Sequence, residues 1–306
     1  MDSKKTSPKG VIMLMLTALI WGSSFVAQSV GMEKIQAFTF NGIRTLLGAA
    51  FLLPFVLLKN RYEAKKMTEE QKAEKKKRNV KTMLAGVPIG IVFFVAGNFQ
   101  QFAFYYSTAG KIAFVTALYM FFVPILGFFI GKRIPALTWL SVVMGFVGLY
   151  FLCVDPEDFT DINKGDLLAL ACAFFYAIHI LLVEKTSGDT DGVLLSCTQF
   201  LVSGTLTFVL MCVFETPKLS EIRAAALPIA YAGIMSCGLA YTFQIIGQKY
   251  TEATIASLLM CLESVFAVLA AAVILGERLS GREVTGCAIM FAAVILSQVA
   301  EIKNSQ

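Results

Sequence analysis

"VILGERLSG" at 273–281 and "FFIGKRIPA" at 128–136 decide how this chain is read. Each closes one long apolar run and leads into another, and Gly131-Lys132-Arg133 becomes Gly276-Glu277-Arg278 at a shift of 145 residues. Working outward, an offset of 155 carries Ala18 onto Ala173, Trp21 onto Tyr176, Asn41 onto Ser196 and Arg44 onto Gln199. An offset of 144 carries Gln100 onto Gln244, Tyr106 onto Tyr250 and Ala109 onto Ala253. One coincidence means little, but an ordered series points to an internal duplication. Residues 10–154 and 165–300 read as two copies of one unit, joined by the acidic linker 155–164.

The unit is a membrane one. The 306 residues are 57% hydrophobic and 15% charged, with a mean hydropathy of +0.71; soluble domains carry about 25% charged residues. Apolar runs fall at 11–30, 36–58, 82–105, 109–131, 136–154, 167–183, 192–214, 224–247, 254–275 and 284–300. Most reach the roughly 20 residues that cross a bilayer. The expected fold is therefore all-α and integral to the membrane, with ten transmembrane helices. Five spans per copy is an odd number, so the second copy must enter upside down. Two inverted five-helix repeats are an architecture of secondary transporters.

Charge sets the expected orientation. Residues 59–81 hold ten Lys/Arg and four Glu, so this segment carries +6 of a net +5. It lies between two spans, where topology accounts for it better than nucleic acid, and no nucleic-acid partner is expected. With a cytoplasmic N-terminus, 18 Lys/Arg fall on inner segments, 7 on outer ones, and Arg44 inside a span. The positive-inside rule then puts both termini in the cytoplasm and the linker outside, in a multi-pass protein of the cytoplasmic (cell inner) membrane. The apolar stretch after Lys4, Lys5 and Lys9 runs on to about Val30, so it reads as a retained first span. The seven cysteines are scattered, with no CxxC or Cys/His cluster. Neither a disulfide framework nor a metal site is expected, and no cofactor.

The chain resembles the EamA-type transporters of the drug/metabolite transporter (DMT) superfamily. The resemblance rests on "ALIWGSSFV" in span one, Arg44 in "NGIRTLLGA", "TAGKIAFVTALYMFFVPIL" in span four, "LESVFAVLAAAVILGERLS" in span nine and the ten-span duplication. It implies a central cavity between the halves, with helices five and ten peripheral. It also implies a small-metabolite cargo, amino acids or related compounds, with export as the direction. Lys132 stands where such transporters often have Glu, and Ser264 where they often have Pro.

Polar groups at membrane depth are costly unless paired or facing a cavity. Asn98, Gln101 and Tyr105 in span three follow i, i+3, i+7, as do Tyr241, Gln244 and Gln248 in span eight. Trp21, Ser24 and Gln28 form a similar stripe on span one, and Tyr176 and His179 are neighbours on span six. Glu263 is an isolated carboxyl in span nine. With Tyr119, these define the expected substrate-binding set: Trp21, Ser24, Asn98, Gln101, Tyr105, Tyr119, Tyr176, His179, Tyr241, Gln244 and Glu263. Interhelical hydrogen bonding is the competing role for all of them. Arg44 is assigned mainly a structural role, since an embedded charge needs a standing partner. Lys111 is read as reaching the outer interface. Pro88, Pro124 and Pro228 are expected to interrupt spans three, four and eight. Gly145 and Gly148 in span five leave a homodimer face and internal packing both open.

Together these features predict a secondary transporter working by alternating access on a small-molecule substrate in a lipid bilayer. An intramembrane enzyme and a passive channel are the alternatives. The sequence shows no HExxH, no GxSxG, no P-loop and no ring of like charges.

Overall fold

The computed structural model describes residues 7–153, 163–275 and 280–304. Gly276, Glu277 and Arg278 of the second motif and residues 155–162 of the linker lie outside the described residues. The order is α1 Pro8–Met32, α2 Ala37–Ala64, α3 Glu69–Ala103, α4 Ala109–Thr116, α5 Tyr119–Phe129, α6 Ala136–Cys153, α7 Lys164–Ser187, α8 Gly192–Phe214, α9 Leu219–Ala224 and α10 Ala226–Ala230. A π-helical segment, Tyr231–Ala240, then leads into α11 Tyr241–Gln248, α12 Ala253–Met260, α13 Leu262–Leu275 and α14 Gly281–Asn304. Among the described residues there is no strand. Among the described residues nine helical stretches are long and apolar enough to cross a membrane, and a shorter apolar one covers Ala253–Leu269. Large apolar side chains such as Leu84, Phe129 and Leu227 are exposed, an outer surface suited to lipid.

Short polar signals start the helices. The Ser7 hydroxyl accepts from the Gly10 amide, with Pro8 in the first turn of α1. Thr68 with Gln71, and Asn163 with Asp166, form capping boxes at α3 and α7, satisfying amides that have no intrahelical partner. The basic segment is not a loop. α2 and α3 run on through it and meet at a turn over 65–68, where Lys75 pairs with Glu63 at 2.7 Å and Asn79 donates to Asn60 at 3.3 Å.

Of the spans expected to be interrupted, four and eight are irregular and three is not: Pro124 lies in α5 after a break, and Pro228 lies in α10 between a break at Ala225 and the π segment. α3 passes unbroken through Pro88, and α2 through Pro54. A proline removes one intrahelical bond, which neighbouring protein can offset in a membrane. Spans four and nine are instead broken at Ala117 and Cys261, equivalent positions at the offset of 144. Both breaks tighten to i→i+3 bonding, Met120 N–H to Ala117 O at 3.1 Å and Ser264 N–H to Cys261 O at 3.3 Å. The Cys261 thiol donates to Ala117 O at 3.6 Å, so the two breaks touch.

Helix packing maps onto itself when the two halves are exchanged. α6 packs on α14 and α2 on α8, each a pairing of equivalents. α3 on α7 answers α1 on the π segment and α11, while α1 on α13 answers α5 on α7. The correspondence reaches single residues. Gly10 lies against Gly247 and Thr251, and Gly165 against Ala103 and Ser107. Gly233 lies against Arg44 and Leu47, and Gly90 against Gln199 and Val202, a pairing at an offset of 143 that becomes 144 across the π segment, by Asn98 and Thr242. Asn41 donates to Asn98 at 3.0 Å, and Thr242 bonds Ser196 at 2.9 Å. Small residues bring membrane helices close enough for dispersion and hydrogen bonding to hold them. Gly145 and Gly148 are used this way inside the chain, against Leu258 and Met290.

α2 and α8 run antiparallel, as do α6 and α14. Glu215, after α8, accepts from the first amides of α2, Phe38 at 2.8 Å and Thr39 at 2.7 Å, a carboxylate on a helix N-terminus. At the other end, Lys59 of α2 pairs with Asp191, which caps α8 through the Val193 and Leu194 amides. Burial raises the Asp191 carboxyl, but the Lys59 ammonium and those two amides outweigh it and hold the group below its ordinary range. Likewise Arg282 at the start of α14 stacks on Tyr150 near the end of α6.

Candidate functional site

α1 presents Trp21, Ser24, Phe25 and Gln28 on one face, at i, i+3, i+4 and i+7. They form one wall of a central cavity with about 450 Å³ of empty space, counting what is open to solvent. Gly22 beside this stripe lets α13 approach, since a Cβ there would meet the Glu263 carbonyl at 2.5 Å. Glu263 itself enters the cavity from the first turn of α13, just past the Cys261 break. Thr116 and Tyr119 flank the equivalent break. Gln100 and Gln244 come from equivalent positions on α3 and α11, Tyr176 and Ile180 from α7, Ser236 and Tyr241 from the π segment and its end, and Arg44 from α2. A π-helix rotates the residues after it relative to a continuous α-helix, and such segments recur at functional sites.

The wall is wired but incomplete. Tyr241 donates to the Tyr176 oxygen at 3.1 Å, and the Trp21 ring lies 4.5 Å from that of Tyr241. Tyr119 donates to a Glu263 carboxyl oxygen at 3.5 Å; these two residues are equivalents at the offset of 144. Gln244 donates its amide nitrogen to Gln248 at 3.1 Å and keeps its oxygen free. Trp21 Nε1, Ser24 Oγ and Gln28 Oε1 are also buried without a partner. Buried polar atoms are normally satisfied, so this lining presents donors and acceptors to whatever fills the space.

A guanidinium and a carboxyl group face the same cavity. Arg44 and Glu263 are each 3% exposed. Arg44 Nε donates to Asn41 Oδ1 at 2.9 Å, and the guanidinium stacks 5.6 Å over Phe40. Among the described residues neither charge forms an ion pair. Charge is instead paired at the helix ends, where Lys111 meets Asp166 at 2.8 Å rather than reaching out to the interface. Lys132 pairs with Glu184, whose other oxygen accepts from the Ala253 amide at 2.9 Å. Among the described residues no three His, Cys, Asp or Glu converge to hold a metal ion.

Seven of the residues expected from sequence line this cavity: Trp21, Ser24, Tyr119, Tyr176, Tyr241, Gln244 and Glu263. Four do not. Asn98 bonds Asn41, Phe94 O and Thr207. The Tyr105 hydroxyl accepts from the Ala37 amide at 2.9 Å, and its ring is 47% exposed. Gln101 is buried away from the cavity with its amide unpartnered. His179 bonds Gln199 at 2.9 Å beneath Phe93. The i, i+3, i+7 stripe on α3 is real, but Asn98 and Tyr105 on it bond α2 and α8. Its neighbour Gln100 reaches the cavity instead. The repeat register already pairs Gln100 with Gln244, the signal that identifies it. Phe25, Thr116, Ile180 and Ser236 carry no comparable mark in the sequence. Arg44 combines both roles, bonded to Asn41 and open to the cavity.

The chain belongs to the EamA-like transporter family, which it matches twice, over residues 8–154 and 163–298. It is thus a multi-pass membrane transporter. It is 28% identical over 288 residues to an "Uncharacterized transporter" of Archaeoglobus fulgidus, covering 92% of this chain and 83% of that one. It is 20% identical to "Uncharacterized transporter YoaV" of Bacillus subtilis, covering 94% and 96%. A solved structure titled "Crystal structure of protein" superposes with a TM-score of 0.75 at 17% identity, covering 97% and 99%, and shares the fold.

Proposed function

We propose that this protein is a secondary transporter for small zwitterionic metabolites, amino acids or close relatives, exported across the cytoplasmic membrane with both termini inside. Two five-helix repeats of opposite orientation, 10–154 and 165–300, rock about the central cavity and open it to each side in turn. The antiparallel packing of α2 on α8 and α6 on α14 supports the opposite orientation, because each pair joins equivalent helices.

The observation that carries the substrate reading is the cavity holding Arg44 and Glu263 without an ion pair for either. An embedded charge needs a partner. A ligand with a carboxylate for Arg44 and an ammonium for Glu263 supplies both at once, while the aromatic rings and amides receive its side chain. Glu263 can hold an ammonium or a proton but not both, which would couple release of one to uptake of the other.

The test is counterflow in proteoliposomes with a panel of amino acids, organic cations and uncharged sugars. Saturable exchange confined to amino acids and their zwitterionic relatives is expected. Exchange of the cations or sugars instead would overturn the substrate reading, and a non-saturable leak would favour a channel.

A further inference from the structure

We infer that His179 and Gln199 form a second substrate-contacting station, presented when the cavity opens to the opposite face. The inference rests on the alternating-access reading. Ser24 and His179 are equivalents at the offset of 155, as are Arg44 and Gln199. Arg44 lies seven residues into α2 and Gln199 seven residues into α8. Because α2 and α8 are antiparallel, the two positions lie about 10 Å in from opposite faces at 1.5 Å per residue. Ser24 and Arg44 line the cavity, whereas His179 and Gln199 are fully buried away from it.

That buried pair is chemically unfinished. Gln199 Oε1 bonds His179 Nε2 at 2.9 Å, so Nε2 carries the hydrogen and Nδ1 of the neutral ring is an acceptor. Nδ1 has no partner, nor has the Gln199 amide nitrogen. One free acceptor beside one free donor fits a head group that both donates and accepts, such as an ammonium–carboxylate. The Phe93 ring closes this station in the present state, 5.8 Å from His179 and 4.9 Å from Tyr241. Their equivalents at the Arg44 end are Ser236 or Cys237 for Phe93, on either side of the register change in the π segment, and Gly97 for Tyr241, all too small to close it. Exchange of the two halves exposes His179 and Gln199 when these rings part, and covers Ser24 and Arg44.

Single cysteines test this in a background whose seven natural cysteines are replaced. Ser24→Cys, His179→Cys and Gln199→Cys are reconstituted in proteoliposomes, and an impermeant maleimide is added from one face at a time. Ser24→Cys should react from the face that holds the N-terminus of α2. His179→Cys and Gln199→Cys should react from the face that holds the N-terminus of α8, each slowed by saturating amino acid. If the position-24 thiol reacts from one face in a variant that transports, while positions 179 and 199 stay unreactive from both, the second station is wrong and alternating access stands. If the position-24 thiol reacts equally from both faces, the two stations are not exclusive and the second station is wrong; alternating access itself fails only if the protein also passes substrate without saturation.

Discussion

Arg44 and Gln199 occupy equivalent positions on antiparallel helices, yet only Arg44 reaches the cavity. The contacts around Gly233 and Gly90 match, but span eight then carries a π segment that α3 lacks. Side-chain volume adds to that difference. At the Gln199 end, Phe93, Phe200 and Tyr241 stack edge to face with centroids 4.9 to 5.4 Å apart. Their equivalents at the Arg44 end are Ser236 or Cys237, Thr45 and Gly97. A duplicated scaffold thus becomes a lopsided cavity by filling one end with aromatic rings, and the end without them keeps Arg44 in its lining. The same contrast separates Tyr119 from Glu263, equivalents that face each other in the centre, one neutral and one a carboxyl.

The largest effect is expected where that central contrast is erased. Glu263→Gln preserves shape and removes the titratable group. Proton-driven accumulation in liposomes should be abolished, while substrate binding falls by less. Full accumulation by the variant would make Glu263 a static hydrogen-bonding residue.

A smaller effect sharpens the difference between neighbours on α3. Gln100→Leu and Gln244→Leu should each weaken equilibrium binding by about three- to tenfold, the worth of one hydrogen bond. Gln101→Leu should leave binding unchanged and raise the melting temperature, because it removes a buried amide that has no partner. Equal losses for Gln100→Leu and Gln101→Leu would move the site onto the stripe shared with Asn98.

Much of this architecture is legible in the sequence. Ten apolar runs give the helices, because only continuous internal hydrogen bonding survives in hydrocarbon. The offsets of 155 and 144, read from a handful of identities, recur as physical contacts at Gly10 and Gly165 and at Asn41 and Ser196. What the residues do not announce is irregular backbone. The breaks at Ala117 and Cys261 and the π segment over Tyr231–Ala240 carry no glycine or proline at the break itself or only scattered glycines, while Pro88 and Pro54 sit in intact helices. Tertiary packing decides these positions. For the site, helical period alone chose the face of α3 that holds Asn98. Period says that residues share a face and not which neighbour the face meets. The repeat register, pairing Gln100 with Gln244, held that information. Arg44 was readable as embedded but not as exposed to the cavity, because the space beside it depends on Thr45, Gly97 and Cys237 being small together.

The central claim is that a zwitterion is held between the two unpaired charges, and a binding cycle on the carboxylate end tests it most directly. Affinity is measured for a transported amino acid and for its amide, which keeps the ammonium and loses the carboxylate, on the natural protein and on Arg44→Gln. Loss of a charge-assisted hydrogen bond predicts that the amide binds the natural protein about 10- to 100-fold more weakly. Arg44→Gln, which installs the residue of the second half, should bind both ligands equally. An amide penalty that persists undiminished in Arg44→Gln would place the carboxylate elsewhere and contradict the account.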